Sequence, residues 1–459
     1  MRSTVKVSDA TVRLIAFCLL GVALAAAGGR LSVHTVNDTP SYLNYPLGSL
    51  HDALLSIRTP GYPIFLAVVS ATVGLQFVPV IQVLLHAVVS WFFGEELIRR
   101  GMPLRGAIAA AVSVMIGCTA VDHIQTISTD APAASLGVLT ATFLMRACRT
   151  SSLADMIACA VVATATIFVR PAYLFLIPWI AFAGWLLVER PARRTIGLRI
   201  AIAVALVVLG WMSMRKIIVS EFAIAPFGHQ NLSAILVQTV TPETLRQLPG
   251  ESGDLGRMIA DQLERDGYQL PADNAGGIPT LTMETQWDVI NYGVVWPIAR
   301  DRYADQDALG IHAPAVLVHR RIGALNGAIL SASPRGYLRW IVLAIRRSVW
   351  GTAANIAMHP IFLPIILAGL VWVVIRSSQR IPLSPIVLPE GWAALAIVAI
   401  TYAAMGIGFV ILSSPPLGRF ADAAAIFLPG LVASLFVGGR PVIDDGGHQS
   451  TSPRSMTSR

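Results

Sequence analysis

Charge is scarce in this chain. Of 459 residues, 13% are Asp, Glu, Lys or Arg and 55% are apolar, whereas an ordinary soluble domain carries roughly 25% charged residues. That shortage excludes a water-soluble protein built round one core. Cysteine is sparse as well. Cys18, Cys118, Cys148 and Cys159 all fall in apolar stretches and show neither CxxC nor Cys/His spacing, so the sequence supports neither a disulfide frame nor a zinc site. Long runs of one charge are missing too. The net charge of +8 is spread over short basic clusters, which argues against nucleic acid as a partner.

What the chain does have is a series of apolar segments, each long enough to cross a hydrocarbon core about 30 Å thick. Basic clusters sit at their ends: Arg99, Arg100 and Arg105, then Arg190, Arg193 and Arg194, then Arg376 and Arg380. This is the distribution of cytoplasmic loops under the positive-inside rule. Residues 1–29 could be a secretory signal peptide, but the spans that follow favour a first membrane helix at 11–29. Two apolar segments, 61–77 and 79–98, separate it from the first basic cluster. If both crossed, Arg99 to Arg105 would lie outside, so 61–77, broken by Gly74, is expected to lie in the outer interface. Further spans are expected at 104–121, 131–147, 154–169, 172–189 and 196–214, and later at 359–375, 391–412 and 419–438.

The fold class expected is therefore an all-α transmembrane bundle of about ten spans, with interfacial helices in the first outer loop and a smaller extracytoplasmic domain of uncertain class. Four regions follow: a membrane module at 1–214 with outer loops 30–78 and 119–131, an acidic loop domain at 215–335, a C-terminal part at 336–438, and a disordered cytoplasmic tail at 439–459. The segment YLRWIVLAIRRSVW at 337–350 carries Arg339, Arg346 and Arg347 and reads as an interfacial helix. VVWPIARDRY at 294–303 suits helix or strand.

Polar residues beside a membrane are expensive unless they act, so the outer loops are where function is sought. Asp38 stands in VNDTPSYLNYP and Asp130 in TISTDAPAASL. Each has a plain structural alternative: an Asx-type turn at Asp38 and a helix N-cap at Asp130. Arg58 in RTPGYP could be a snorkelling anchor. Arg170 in FVRPAYLFLIP falls on the outer side, against the charge trend, and so needs an anionic partner such as a lipid phosphate.

The set made by Asp38 with Tyr42, RTPGYP at 58–63, TDAP at 129–132 and Arg170-Pro171 resembles polytopic glycosyltransferases of the GT-C superfamily. The likeness is strongest to the protein O-mannosyltransferase and aminoarabinose transferase branch, and its motifs lie in the first 180 residues or so. It implies a sugar donor linked to a polyprenyl phosphate and an extracytoplasmic acceptor, whether glycan, lipid or protein. Asp38 matches the first-loop acid regarded as catalytic base or its close partner, and Asp130 the acid of the second outer loop. Tyr42, Arg58, Tyr62 and Arg170 would meet the donor's phosphate and sugar, although Thr59 stands where relatives carry a second charge beside Arg58. No metal-ligand cluster is legible in the sequence and no resident cofactor is marked, while a divalent cation held by Asp38 and Asp130 is compatible with the residues. A bacterial inner membrane suits the short loops, with the active site facing outward. A polymerase or ligase of lipid-linked polysaccharide and a lipid or solute transporter are the competing classes; mid-span positions of mostly Ala, Val, Ile and Leu speak against transport.

Overall fold

The computed structural model describes residues 8–117, 123–188, 194–268, 279–303, 314–358, 362–378, 390–416 and 423–438. Expectations for Cys118, Arg190, Arg193, Arg380 and the tail at 439–459 fall outside them. The described residues are helical almost throughout, and their one β pairing is an isolated bridge between His34 and Thr126.

Among the described residues, five helices are long and apolar enough to cross a membrane. In chain order the elements begin with α1 (Asp9–Ala27), the short helices α2 (Thr39–Leu43) and α3 (Leu50–Leu55), α4 (Gly61–Thr72), α5 (Val78–Arg99) and α6 (Leu104–Ile116). They continue with α7 (Asp130–Thr150), α8 (Leu153–Val169), a tight turn at Pro171–Phe175, α9 (Leu176–Leu186) and α10 (Thr195–Val219). Of these, α1, α5 with its leading turn, α7 and α10 are among the five; α6, α8 and α9 are apolar but shorter.

The segment read as interfacial is the 12-residue α4, too short to span, and it ends where Gly74 takes φ +95°. At its start Gly61 abuts α8, where an added Cβ would lie 2.6 Å from the Phe168 carbonyl. Gly184 of α9 and Gly197 of α10 make a second close approach, with the Cβ of one falling 2.6 Å from the Cα of the other. Small residues at helix crossings are how apolar helices gain contact in lipid, where no hydrophobic effect draws them together.

One end of the bundle is tied by ion pairs. Arg13 meets Glu95 at 2.6 Å, Arg149 grips Glu96 with two bonds of 2.8 Å, and Arg146 meets Asp155 at 2.8 Å. Arg100 joins Glu390 at 3.0 Å. These pairs fix relative directions: α1, α8 and α18 (below) leave this end, while α5 and α7 arrive at it. That alternation is the one expected from the basic clusters.

After α10 the chain builds a second, wholly helical core. It comprises α11 (His229–Leu236), α12 (Gly250–Arg265), α13 (Pro279–Val289), a π-helical stretch Ile290–Val295, α14 (Trp296–Tyr303) and α15 (Pro314–Ala332). VVWPIARDRY is thus helix. Then come α16 (Pro334–Met358), α17 (Phe362–Ser378), α18 (Glu390–Ile411), which is the fifth long apolar helix, and α19 (Leu428–Gly438). The expected start of the last span at 419 lies outside the described residues; within them, helical residues 423–424 and a turn at 425–427 precede α19.

A polar strap joins the two cores. Arg215 on α10, fully buried, donates to the Leu54 carbonyl at 2.9 Å, the Ala223 carbonyl at 2.7 Å and Glu221 at 3.1 Å. Glu221 also contacts His319, whose ring stacks on His229 with centroids 3.7 Å apart. Burial, and then the neighbouring His319, lower the proton affinity of His229 below the usual 6.5. The unfolded chain therefore binds a proton that the folded domain resists, so stability is full above about pH 6.5 and falls as pH drops toward the depressed folded value. Hydrogen exchange of α11 in the full-length protein, corrected for intrinsic rates, is expected to quicken below about pH 6.5, and His229→Gln to flatten that dependence.

Candidate functional site

The end of the bundle opposite the Glu95 and Glu96 pairs holds all six residues singled out in the sequence. Asp38 stands at the N-cap position of α2, yet its side chain makes no capping bond. It pairs with Arg58 at 2.6 Å instead. The Arg58 guanidinium also donates to Ser41 Oγ at 2.8 Å and lies over the Tyr42 ring, 4.6 Å from its centroid. The charge at Arg58 is thus turned inward, which a snorkelling anchor would not require.

Asp130 opens α7, with Thr129 at the N-cap position. Its carboxylate pairs with Arg170, which follows the last residue of α8, and accepts from Ser128 Oγ at 3.2 Å. Arg170 in turn donates to Thr129 Oγ1 at 3.4 Å. The anionic partner that Arg170 needed is therefore present within the protein.

The tyrosines connect the two pairs. The Tyr42 ring meets Tyr62 edge to face at 5.2 Å, and Tyr62 stacks on Phe65. The Tyr42 hydroxyl is directed toward Thr129 and Arg170; burial, opposed by the Arg58 charge, raises its pKa, so it is a neutral donor near pH 7. The Tyr62 hydroxyl is buried near Ser128 and Asp130 and makes no hydrogen bond of good geometry with a described residue.

The two carboxylates differ in access. Asp38 is 50% exposed and Asp130 7%, while Arg58 and Arg170 are 12% and 14% exposed. One ion pair faces water and the other is enclosed. Beside Arg170 a shallow apolar cleft is lined by Tyr173, Phe175, Gly406, Val410 and Ala424. Among the described residues no group of three or more His, Cys, Asp or Glu comes together as a metal site.

Several contributors were not singled out in the sequence. Ser128 and Thr129 lie within the TISTDAP stretch and could have been weighed with Asp130. Phe227 could not: it sits in no motif, 169 positions after Arg58, yet its ring lies 5.4 Å from that guanidinium. Phe227 lies between α10 and α11, in the strap leading into the second core, so that helical core reaches the site through it. Tyr173 and Tyr402, both buried beside Phe175, were likewise unmarked.

The protein is thus a membrane protein with a polar, two-arginine, two-carboxylate centre at one end of its helices. No protein-family model and no curated protein matches the chain.

Proposed function

We propose that the chain is a GT-C-type glycosyltransferase of about ten spans, taking a sugar from a polyprenyl-phosphate donor and passing it to an extracytoplasmic glycan, lipid or protein. A bacterial inner membrane, with the site facing outward, is the setting that fits the loop charges. The observation that carries this reading is the convergence of Asp38 with Arg58 and Asp130 with Arg170, from three separate outer segments, about Tyr42.

In the proposed reaction the acceptor hydroxyl gives its proton to Asp38 as its oxygen bonds the anomeric carbon, while the bond from that carbon to the phosphate oxygen breaks. Asp38 suits the role of base because its carboxylate is reachable from water, and a positioned carboxylate can take a proton as the bond forms. The departing lipid phosphate gains negative charge, which Arg58 and Arg170 stabilise. Asp130, enclosed with Arg170, holds that cation in place. The apolar cleft beside Arg170 is suited to the first isoprene units of the donor. A divalent cation between Asp38 and Asp130 would have to displace both arginines as counter-charge, so the electrostatic work is assigned to the arginines.

The test is transfer of labelled sugar from polyprenyl-phosphate donors to a membrane extract by purified protein. Wild type is expected to transfer, and Arg58→Gln to lose about a hundredfold, the usual effect of removing one donor to a developing negative charge. No transfer from any donor by well-folded wild type overturns the reading; an undiminished rate in Arg58→Gln removes Arg58 from the phosphate.

A further inference from the structure

The helix α16 carries an apolar stripe and a basic row that nothing in the proposed reaction uses. Leu338, Val342, Ile345 and Val349 follow one another at spacings of four, three and four and are 63%, 66%, 48% and 63% exposed. That periodicity sets them on one helical face. Arg335, Arg339 and Arg346 fall beside one another on the neighbouring face and are also exposed. None of these three pairs with an acid among the described residues, whereas Arg347, on a different face, is held by Glu284 at 3.3 Å.

The opposite face fastens the helix to the protein. Trp340 and Ala344 are buried, and Trp340 Nε1 donates to the Ile411 carbonyl at 3.0 Å while Tyr337 Oη donates to the Leu412 carbonyl at 2.7 Å. Ile411 ends α18, the helix whose other end begins at Glu390 on Arg100. The first turns of α16 therefore lie at the same end of the bundle as Asp130 and Arg170, where the charge rule disfavours unpaired arginines. An anion supplied by the surroundings resolves that conflict.

We infer that α16 is a docking surface for anionic phospholipid: the 338–349 stripe sits among acyl chains of the outer leaflet, and Arg335, Arg339 and Arg346 bind the headgroup phosphates. Charge complementarity selects the occupant. An apolar face alone would accept any lipid, but three exposed guanidiniums in a row beside it favour a net negative headgroup over a zwitterion. The association binds and orients; it involves no chemical step.

Trp350, 70% exposed, follows Val349 and lies one turn beyond Arg346 on the arginine side of the helix, and it is the reporter. Full-length protein is placed in phosphatidylcholine vesicles containing a minor share of phosphatidylglycerol, with one lipid or the other brominated on its acyl chains. The Trp350 signal is obtained by difference from Trp350→Phe. Brominated phosphatidylglycerol is expected to quench Trp350 beyond its bulk share, with enrichment of up to roughly fivefold per arginine. Salt is expected to reduce that enrichment, since screening shortens with ionic strength. The Arg335→Gln, Arg339→Gln, Arg346→Gln variant is expected to abolish it. Quenching in proportion to bulk composition, or an excess that survives the triple substitution, overturns the headgroup preference; absence of quenching by either lipid overturns the seating of the helix. Should the triple variant not fold, the salt titration of wild type decides: an excess indifferent to salt is incompatible with arginine–phosphate binding.

Discussion

Asp38→Asn is expected to lower sugar transfer by about 10²- to 10⁴-fold, the range a lost general base commands, while leaving the fold nearly as stable as before. The stability half of the expectation comes from exposure. Asp38 is half exposed and its partner Arg58 keeps Ser41, Tyr42 and Phe227 as contacts. Water-facing ion pairs contribute about 0–1 kcal/mol, so the unfolding midpoint in detergent should scarcely move. Rate and midpoint measured on one preparation separate the outcomes. An undiminished rate would return Asp38 to the role of a loop residue and leave the proposed base without a candidate of equal access, since Asp130 is enclosed.

At the other end of the bundle, Glu96→Gln is expected to cost about 3–5 kcal/mol of stability, with no direct effect on the outer site. The Glu96 carboxylate is fully buried and answers two arginines: Arg149 through paired bonds of 2.8 Å, and Arg100 at 3.5 Å. Arg100 is itself only 2% exposed. Removing the carboxylate leaves the buried Arg100 with only the exposed Glu390 as counter-charge and Arg149 with none of its paired bonds, which is far worse than never having built the pair. Glu390→Gln is the internal control. It also touches Arg100, but it is 57% exposed, so its loss should fall within about 1 kcal/mol. Reversible unfolding of both variants in one detergent tests the contrast, and equal losses would show that burial does not set the energetics here.

The helices were legible because the membrane imposes a simple code. An apolar run must satisfy its own backbone, so it is a helix, and basic residues mark its cytoplasmic end. Those two rules place Val78–Arg99, Asp130–Thr150 and Glu390–Ile411 to within about three residues, and they give 61–77 its interfacial reading from charge alone. They fail where polar sequence begins. The helices of the second core lie in polar sequence that hydropathy does not enforce, which is why VVWPIARDRY reads equally as strand. Helix α10 continues to Val219 instead of stopping at 214 because Lys216 and Arg215 do not break a helix; Arg215 is buried by partners that only the fold supplies. Of the candidate site, the charged and aromatic members could be nominated because polar residues next to a membrane are conspicuous. The pairing of Asp38 with Arg58 and of Asp130 with Arg170 could not, since two acids and two cations allow more than one arrangement. Nor could Phe227, an unremarkable aromatic whose importance lies in where the strap ends.

The contact of Phe227 with Arg58 also sets an order on the making of the protein. Asp38, Tyr42 and Arg58 leave the ribosome early, Asp130 and Arg170 next, and the strap that covers Arg58 only after α10 has been inserted. During synthesis the guanidinium therefore waits with one face bare until residues near 227 have been made and have folded onto it. A nascent chain halted between α10 and α11 would hold both ion pairs but an open lid, and an arginine-directed reagent applied to such stalled chains would find Arg58 where the finished protein conceals it.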